Sequence, residues 1–217
     1  MTRYILKIKL ESEAAFGRGD GVAGLVDAEV QHDDYGFPFL HGRTIKGLLV
    51  QECADIRTSL SSGRSMWDES ARRLFGRPGS SSGDNAVMII GNALLPRDLR
   101  CAILNDIRMG RIRPDEVLDL FTAIRTQTAI DENGVARENS LRCIRVILRE
   151  TIFESQLFFT EEPQLSDLAL LAACVKAFRR AGTGITRGLG RLEAELLDQE
   201  RRTVTEHYFK EFRKAVR

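Results

Sequence analysis

GTGITRGLG, Gly182 to Gly190, joins an apolar helical run to a strand-like run and sets how the C-terminal half of the chain must fold. Its four glycines, Gly182, Gly184, Gly188 and Gly190, allow positive φ and close approach of a ligand to the backbone. Thr183, Thr186 and Arg187 add hydroxyl and guanidinium donors, and no acidic residue interrupts them. Exposed amides beside one bidentate cation suit a phosphate. The stretch is not a Walker loop, because no Gly-Lys-Ser/Thr follows, and not a dinucleotide fingerprint, because it leads into a strand rather than a helix. A glycine turn demanded by tight packing accounts for the same residues, so both readings stand at this point.

Before this loop, Leu165 to Phe178 reads as a helix with Leu168, Leu171, Ala172 and Val175 on one stripe; after it, Arg191 to Leu197 reads as a strand. At the other end, Tyr4, Leu6, Ile8 and Leu10 alternate with Arg3, Ile5, Lys7 and Lys9, the period of a strand with one buried face. A loop of small residues follows from Ala14 to Gly24, then a short strand LVDAEV and an Asp-Asp-Tyr-Gly turn at 33–36. From Thr44, a candidate N-cap, the period becomes helical, with Ile45, Leu48, Leu49, Cys53, Ile56 and Leu60 on one stripe.

A second helix is expected over Met66 to Phe75, a mobile low-complexity loop over 76–84, and a buried strand over 86–95. Residues 96–120 fit two short helices broken near Gly110 and restarted at Pro114. The region 121–159 is rich in strand formers, with Asp131-Glu132-Asn133-Gly134 as a hairpin tip and a further strand from Thr151 to Phe159. The tail from 201 to 217 reads as a charged, helical extension. Two long helices against one antiparallel sheet is an α+β, ferredoxin-like (RRM-like) pattern enlarged by insertions.

The 217 residues suffice for a substantial core, and 43% hydrophobic with 29% charged residues describes a soluble globular protein. A net charge of +1 argues against a general nucleic-acid coat but not against a local basic groove. Cys53, Cys101, Cys143 and Cys174 show no C-x-x-C and read as free buried thiols, which argues against structural zinc and fits a reducing cytoplasm. The N-terminus does not read as a signal peptide, and no run is long enough for a membrane helix.

Four segments, in register, resemble the RAMP superfamily of CRISPR-associated proteins: GLVDAEVQHDDYGFPFLHGRTIKGLL, RRLFG with the following VMIIGNALL, RTQTAIDENGVARENSLRCIRVILRETIFESQLFF, and GTGITRGLGRLEAEL. The resemblance spans about residues 3–198 and is strongest to the backbone subunits of type III effector complexes, which stack along a guide RNA and cut bound target RNA. It implies one RRM-like domain over residues 1–200, with a helical insertion at about 96–120 and a long β-hairpin thumb at about 122–150. One departure stands out. His41-Gly42-Arg43-Thr44-Ile45-Lys46-Gly47 replaces the common Pro-Gly-Ser-Ser-Leu-Lys-Gly, so the proline is gone and Arg43 adds a cation.

The resemblance also places a catalytic loop aspartate at Asp27, where a carboxylate would hold a divalent ion such as Mg²⁺ or assist a 2′-hydroxyl to attack its own phosphate. An exposed strand-edge residue is the bland reading of Asp27. Arg43 and Lys46 open a helix whose amides favour a phosphate, and are otherwise a solvated helix face. Arg187 with Gly184 and Gly188 is assigned to guide backbone, and Arg18 to target phosphate. The thumb carries Arg125, Arg137, Arg142 and Arg145; the resemblance assigns Arg125, Arg137 and Arg142 to RNA, while an ordinary solvated face explains at least half of the four. His41 is an RNA contact or a structural histidine. Phe37 and Phe39 read as packing, and Asp33 and Asp34 as turn residues.

The expected function is a guide-RNA-binding backbone subunit that cleaves guide-paired RNA with metal assistance, in company with copies of itself and other effector subunits. The rivals are a non-catalytic scaffold of the same fold and a histidine-based guide-precursor endonuclease. The second rival lacks its usual histidine near the first helix unless His41 serves. An unrelated RRM module lacks the expected aromatic pair on its strands.

Overall fold

The computed structural model describes residues 2–19, 21, 25–60, 64–77, 86–128 and 140–216, without the Arg64 side chain. The hairpin tip at 131–134, the thumb residue Arg137 and most of the 76–84 loop lie outside the described residues.

Strand β1 (Arg3–Leu10) buries Tyr4, Leu6, Ile8 and Leu10, as its alternation requires. It is followed by helix α1 (Gly42–Ser59), α2 (Arg64–Phe75), β2 (Met88–Ile90), α3 (Arg97–Arg108) and α4 (Pro114–Phe121). Then come β3 (Thr122–Gln127), β4 (Arg142–Ile147), β5 (Ile152–Phe159), α5 (Leu165–Ala177), β6 (Leu192–Leu197) and α6 (Thr205–Ala215). The main sheet has the order β2-β5-β1-β6, antiparallel throughout, with Tyr4 opposite Leu157 and Leu6 opposite Leu196. Taking β1, α1, β2, β5, α5 and β6 as the core, this is the βαββαβ ferredoxin-like arrangement. β3 and β4 form a separate two-stranded sheet, the base of the thumb.

Several elements differ from the pattern read in the sequence. LVDAEV is no continuous strand: Val26, Ala28 and Val30 lie in irregular backbone, and Ala28 and Val30 each make an isolated bridge, to Ile144 and Gly17. The 86–95 strand shrinks to Met88–Ile90, with Ile89 50% exposed, because Gly91 and Asn92 turn the chain away. α1 starts at Gly42 rather than after Thr44; the Gly42 N–H donates to Asn92 Oδ1 at 3.0 Å, and His41 takes the N-cap position. A β-carbon at Gly42 would stand 2.2 Å from the Ile90 carbonyl oxygen, so glycine is required there.

α5 has no exposed face from Asp167 to Val175, so the expected single stripe is too narrow. The reason is α6, which lies over it: Trp67 and Phe212 rings meet at 4.8 Å, and Tyr4 and Tyr208 hydroxyls at 3.1 Å. The segment read as a charged extension thus closes the core. Cys53 and Cys174 are buried neighbours, whereas Cys101 is exposed and Cys143 half-buried, contrary to the uniform burial expected. The hydrogen bond between Cys53 and Cys174, reinforced by burial, raises the Cys174 thiol well above its usual range. Among the described residues, no helix is long and apolar enough to cross a membrane.

Candidate functional site

Residues 13–18, which the sequence presents only as a loop, are the hub of the site. Gly190 N–H donates to the Glu13 carbonyl (2.7 Å), Ala14 pairs with Ile147 of β4, and Thr183 N–H donates to the Ala15 carbonyl (2.9 Å). Gln31 N–H donates to the Phe16 carbonyl, and Arg18 N–H to that of Glu29. The ladder continues through Phe39 N–H to Gln31 and the Leu40–Ala93 bridge to the start of α1. A run of short bridges therefore ties the glycine loop, the Asp27 segment and the α1 N-terminus into one surface. The signal available in the sequence was Ala14-Ala15, whose small side chains let three segments converge; both are buried.

All four loop glycines have positive φ, from 71° to 93°, around a single 3₁₀ turn at Ile185–Arg187. They divide by cause. A β-carbon at Gly182 would lie 2.5 Å from the Ala15 carbonyl oxygen, and one at Gly190 2.0 Å from that of Ala181, so these two serve packing. A β-carbon at Gly188 would meet nothing within 4 Å, so that glycine leaves open space beside exposed Arg187.

Register sorts the thumb arginines. Arg125 lies opposite Ile144 and Gln127 opposite Arg142, which puts Arg125, Gln127 and Arg142 on one face. Arg187 reaches that face by donating from Nη1 to Gln127 Oε1 at 3.3 Å. Arg125 is held by both oxygens of Glu13, a pairing that raises its guanidinium further above the usual range, so it anchors the thumb to the hub. Arg145 faces the other way and is buried against Glu29 (3.1 Å), with Asp119 and Thr122 completing its bonds; it belongs to no solvated face.

Asp27 is exposed and bound to the edge of β4 twice. Its N–H donates to the Cys143 carbonyl, and its Oδ2 accepts the Cys143 N–H, each at 2.7 Å. Asp27 and Arg187 therefore contact neighbouring register positions of the thumb, Cys143 and Gln127, with Arg142 adjoining the first and facing the second. Among the described residues no trio of His, Cys, Asp or Glu side chains is grouped as a metal centre. Asp27 Oδ1 is the carboxylate oxygen left to an ion, which fits only an ion completed by substrate phosphate and water.

Arg43 (exposed) and Lys46 (half-buried) lie in the first turns of α1, and among the described residues neither has an acidic partner. The His41 ring packs edge-on against Phe39 at 4.9 Å, a structural setting. Phe37 is fully buried, and Asp33 Oδ1 accepts the Tyr35 and Phe37 N–H groups while Arg100 pairs with its other oxygen, as turn and packing residues should.

Residues 7–193 match the family model of the RAMP superfamily. The chain belongs to that superfamily. Among solved structures, a chain of "the Type III-B Cmr-beta bound to cognate target RNA" is similar at a TM-score of 0.65 and 12% identity, covering 96% of this chain and 99% of that one. A chain of type III-B Cmr-beta in the apo state is similar at 0.62 and 13%, covering 91% and 98%. At such identities the likeness is one of fold. No curated protein matches the chain by sequence.

Proposed function

We propose that this RAMP protein is an RNA-binding backbone subunit of a type III effector complex that cleaves guide-paired RNA at Asp27. The observation that carries this reading is the convergence at the thumb base: one exposed carboxylate at Cys143, and Arg142 and Arg187 at the next register positions. Arg187, Gly184 and Gly188 hold guide backbone, with Arg43 and Lys46 at the α1 N-terminus; such contacts are blind to sequence, as binding any guide requires. Arg18 and Arg142 steady target phosphates.

In the reaction, Asp27 accepts the proton of a 2′-hydroxyl, the 2′-oxygen attacks the adjacent phosphorus, the bond to O5′ breaks and O5′ takes a proton from water. The products are a 2′,3′-cyclic phosphate and a 5′-hydroxyl. Alternatively, Asp27 would be the residue to hold a divalent cation such as Mg²⁺, which when bound would supply charge neutralisation at the phosphorus. The thumb splays the two strands and frees the backbone for in-line attack. The cytoplasm, guide RNA, target RNA, further copies of the chain and other effector subunits form its setting.

A second reading has its own observation. The Asp27 carboxylate already secures the β4 edge through Cys143, so a scaffold without activity also explains an aspartate there. The complex assembled on guide RNA and given labelled complementary RNA with Mg²⁺ separates them. Regularly spaced cuts that vanish in Asp27→Ala while RNA stays bound support the nuclease; binding without cuts in either protein leaves the scaffold.

A further inference from the structure

A groove of about 740 Å³ runs between α1 and α2, starting at Arg43 and Lys46 and continuing past them. Among the described residues its charged lining is Arg43, Lys46, Arg57, Arg72 and Arg77 with the acid Asp68, which Arg57 already engages. Arg72 is exposed and, among the described residues, has no acidic partner. Its neighbour Arg73 is spoken for, bonded to the fully buried Asp167 at 3.1 Å. A second cleft of about 520 Å³ adjoins the first through Arg43 and Lys46, and its floor carries the half-exposed Ile89. The two make one basic channel with an apolar floor, of the kind that follows a nucleic-acid strand.

Gly47 sits on the groove wall, one residue past Lys46 and inside α1. Glycine in a helix interior costs stability, and a β-carbon here would meet nothing within 4 Å, so the fold does not ask for it. A missing side chain that packing does not need, between cations, is a place where a ligand backbone comes close.

We propose that the α1–α2 groove holds a continuation of the RNA strand bound at Arg43 and Lys46, with Arg72 as a phosphate ligand and Gly47 as the point of closest approach. This rests on the RNA-binding reading of Arg43 and Lys46. The excess of cations and the continuity with those two residues favour RNA over an acidic protein segment.

The test uses the full chain and a labelled single-stranded oligouridylate, with affinity measured over a range of salt. Arg72→Ala is expected to leave the melting temperature unchanged, weaken binding about 5- to 10-fold and lower the salt slope by about 0.7, one phosphate contact on a single strand. Gly47→Ala is expected to melt higher yet bind more weakly. Arg213→Ala, an exposed cation on α6, should leave the slope unchanged. If Arg72→Ala matches wild type while Arg43→Ala loses affinity, the groove inference fails and the parent reading survives; if neither matters, the parent reading fails. Preferential binding of a polyglutamate peptide that depends on Arg72 overturns RNA in favour of a protein partner.

Discussion

Asp27 and Cys143 are joined by two reciprocal hydrogen bonds, the backbone N–H of each donating to an oxygen of the other at 2.7 Å. This pairing puts a carboxylate at the edge of β4 without burying it. Gly21 supports it from behind, since a β-carbon there would lie 2.6 Å from the Asp27 carbonyl oxygen.

The thumb is fixed to the body by charge. Arg145 and Glu29 are both buried, and Arg145→Met leaves the Glu29 carboxylate without its cation. We expect a loss of about 3–5 kcal/mol in urea unfolding. Arg142→Ala, at an exposed position on the opposite face of β4, should leave stability within about 0.5 kcal/mol while weakening RNA binding.

The glycine loop separates packing from contact. Gly190→Ala should prevent stable folding or lower the melting temperature steeply, because its β-carbon meets the Ala181 carbonyl. Gly188→Asn keeps a residue able to adopt positive φ, at a cost of about 1 kcal/mol or less, so thermal melting should change little. Its side chain projects into the open space beside Arg187, and filter-binding should show reduced RNA affinity.

Gly47→Ala isolates the helix. Replacing an interior glycine that no neighbour crowds should stabilise by about 0.5–1 kcal/mol, or roughly 1–4 °C for a chain of this size. Calorimetry reads the gain directly.

The C-terminal helix is part of the core. Phe212→Ala removes the ring that meets Trp67 and should cost about 3–5 kcal/mol. A shift below 1 kcal/mol would mean that α6 is only a loosely attached extension.

The core strands and helices were legible in the sequence because each carries its own period: β1 alternates, α1 shows a stripe, and Pro114 marks the restart at α4. The four motifs of the RAMP superfamily did the rest for the fold. What stayed hidden depends on contacts distant in the chain. α5 reads as amphipathic until α6 covers its far side, and LVDAEV reads as a strand although its partners are scattered residues such as Gly17 and Ile144. Among the candidate site residues, Asp27, Arg142 and Arg187 were placed from motifs, but their meeting at one thumb register was not, since register cannot be read from a single strand. Arg125 and Arg145 looked like surface cations because Glu13 and Glu29 lie more than a hundred residues away. Arg72 was passed over because an exposed arginine in the last turn of a short helix looks like any solvated face.

Whether Asp27 cuts or merely holds the thumb turns on its charge. The most direct measurement is the single-turnover cleavage of guide-paired RNA by the complex carrying Asp27→Asn, with retained RNA measured in the same samples. Asparagine keeps an oxygen for the Cys143 N–H but loses the charge. If Asp27 is the general base, the RNA stays bound as in wild type and is cut at least about 100-fold more slowly, the lower range for a lost general base. Cleavage at the wild-type rate in Asp27→Asn would contradict that role and leave Asp27 as a structural pin.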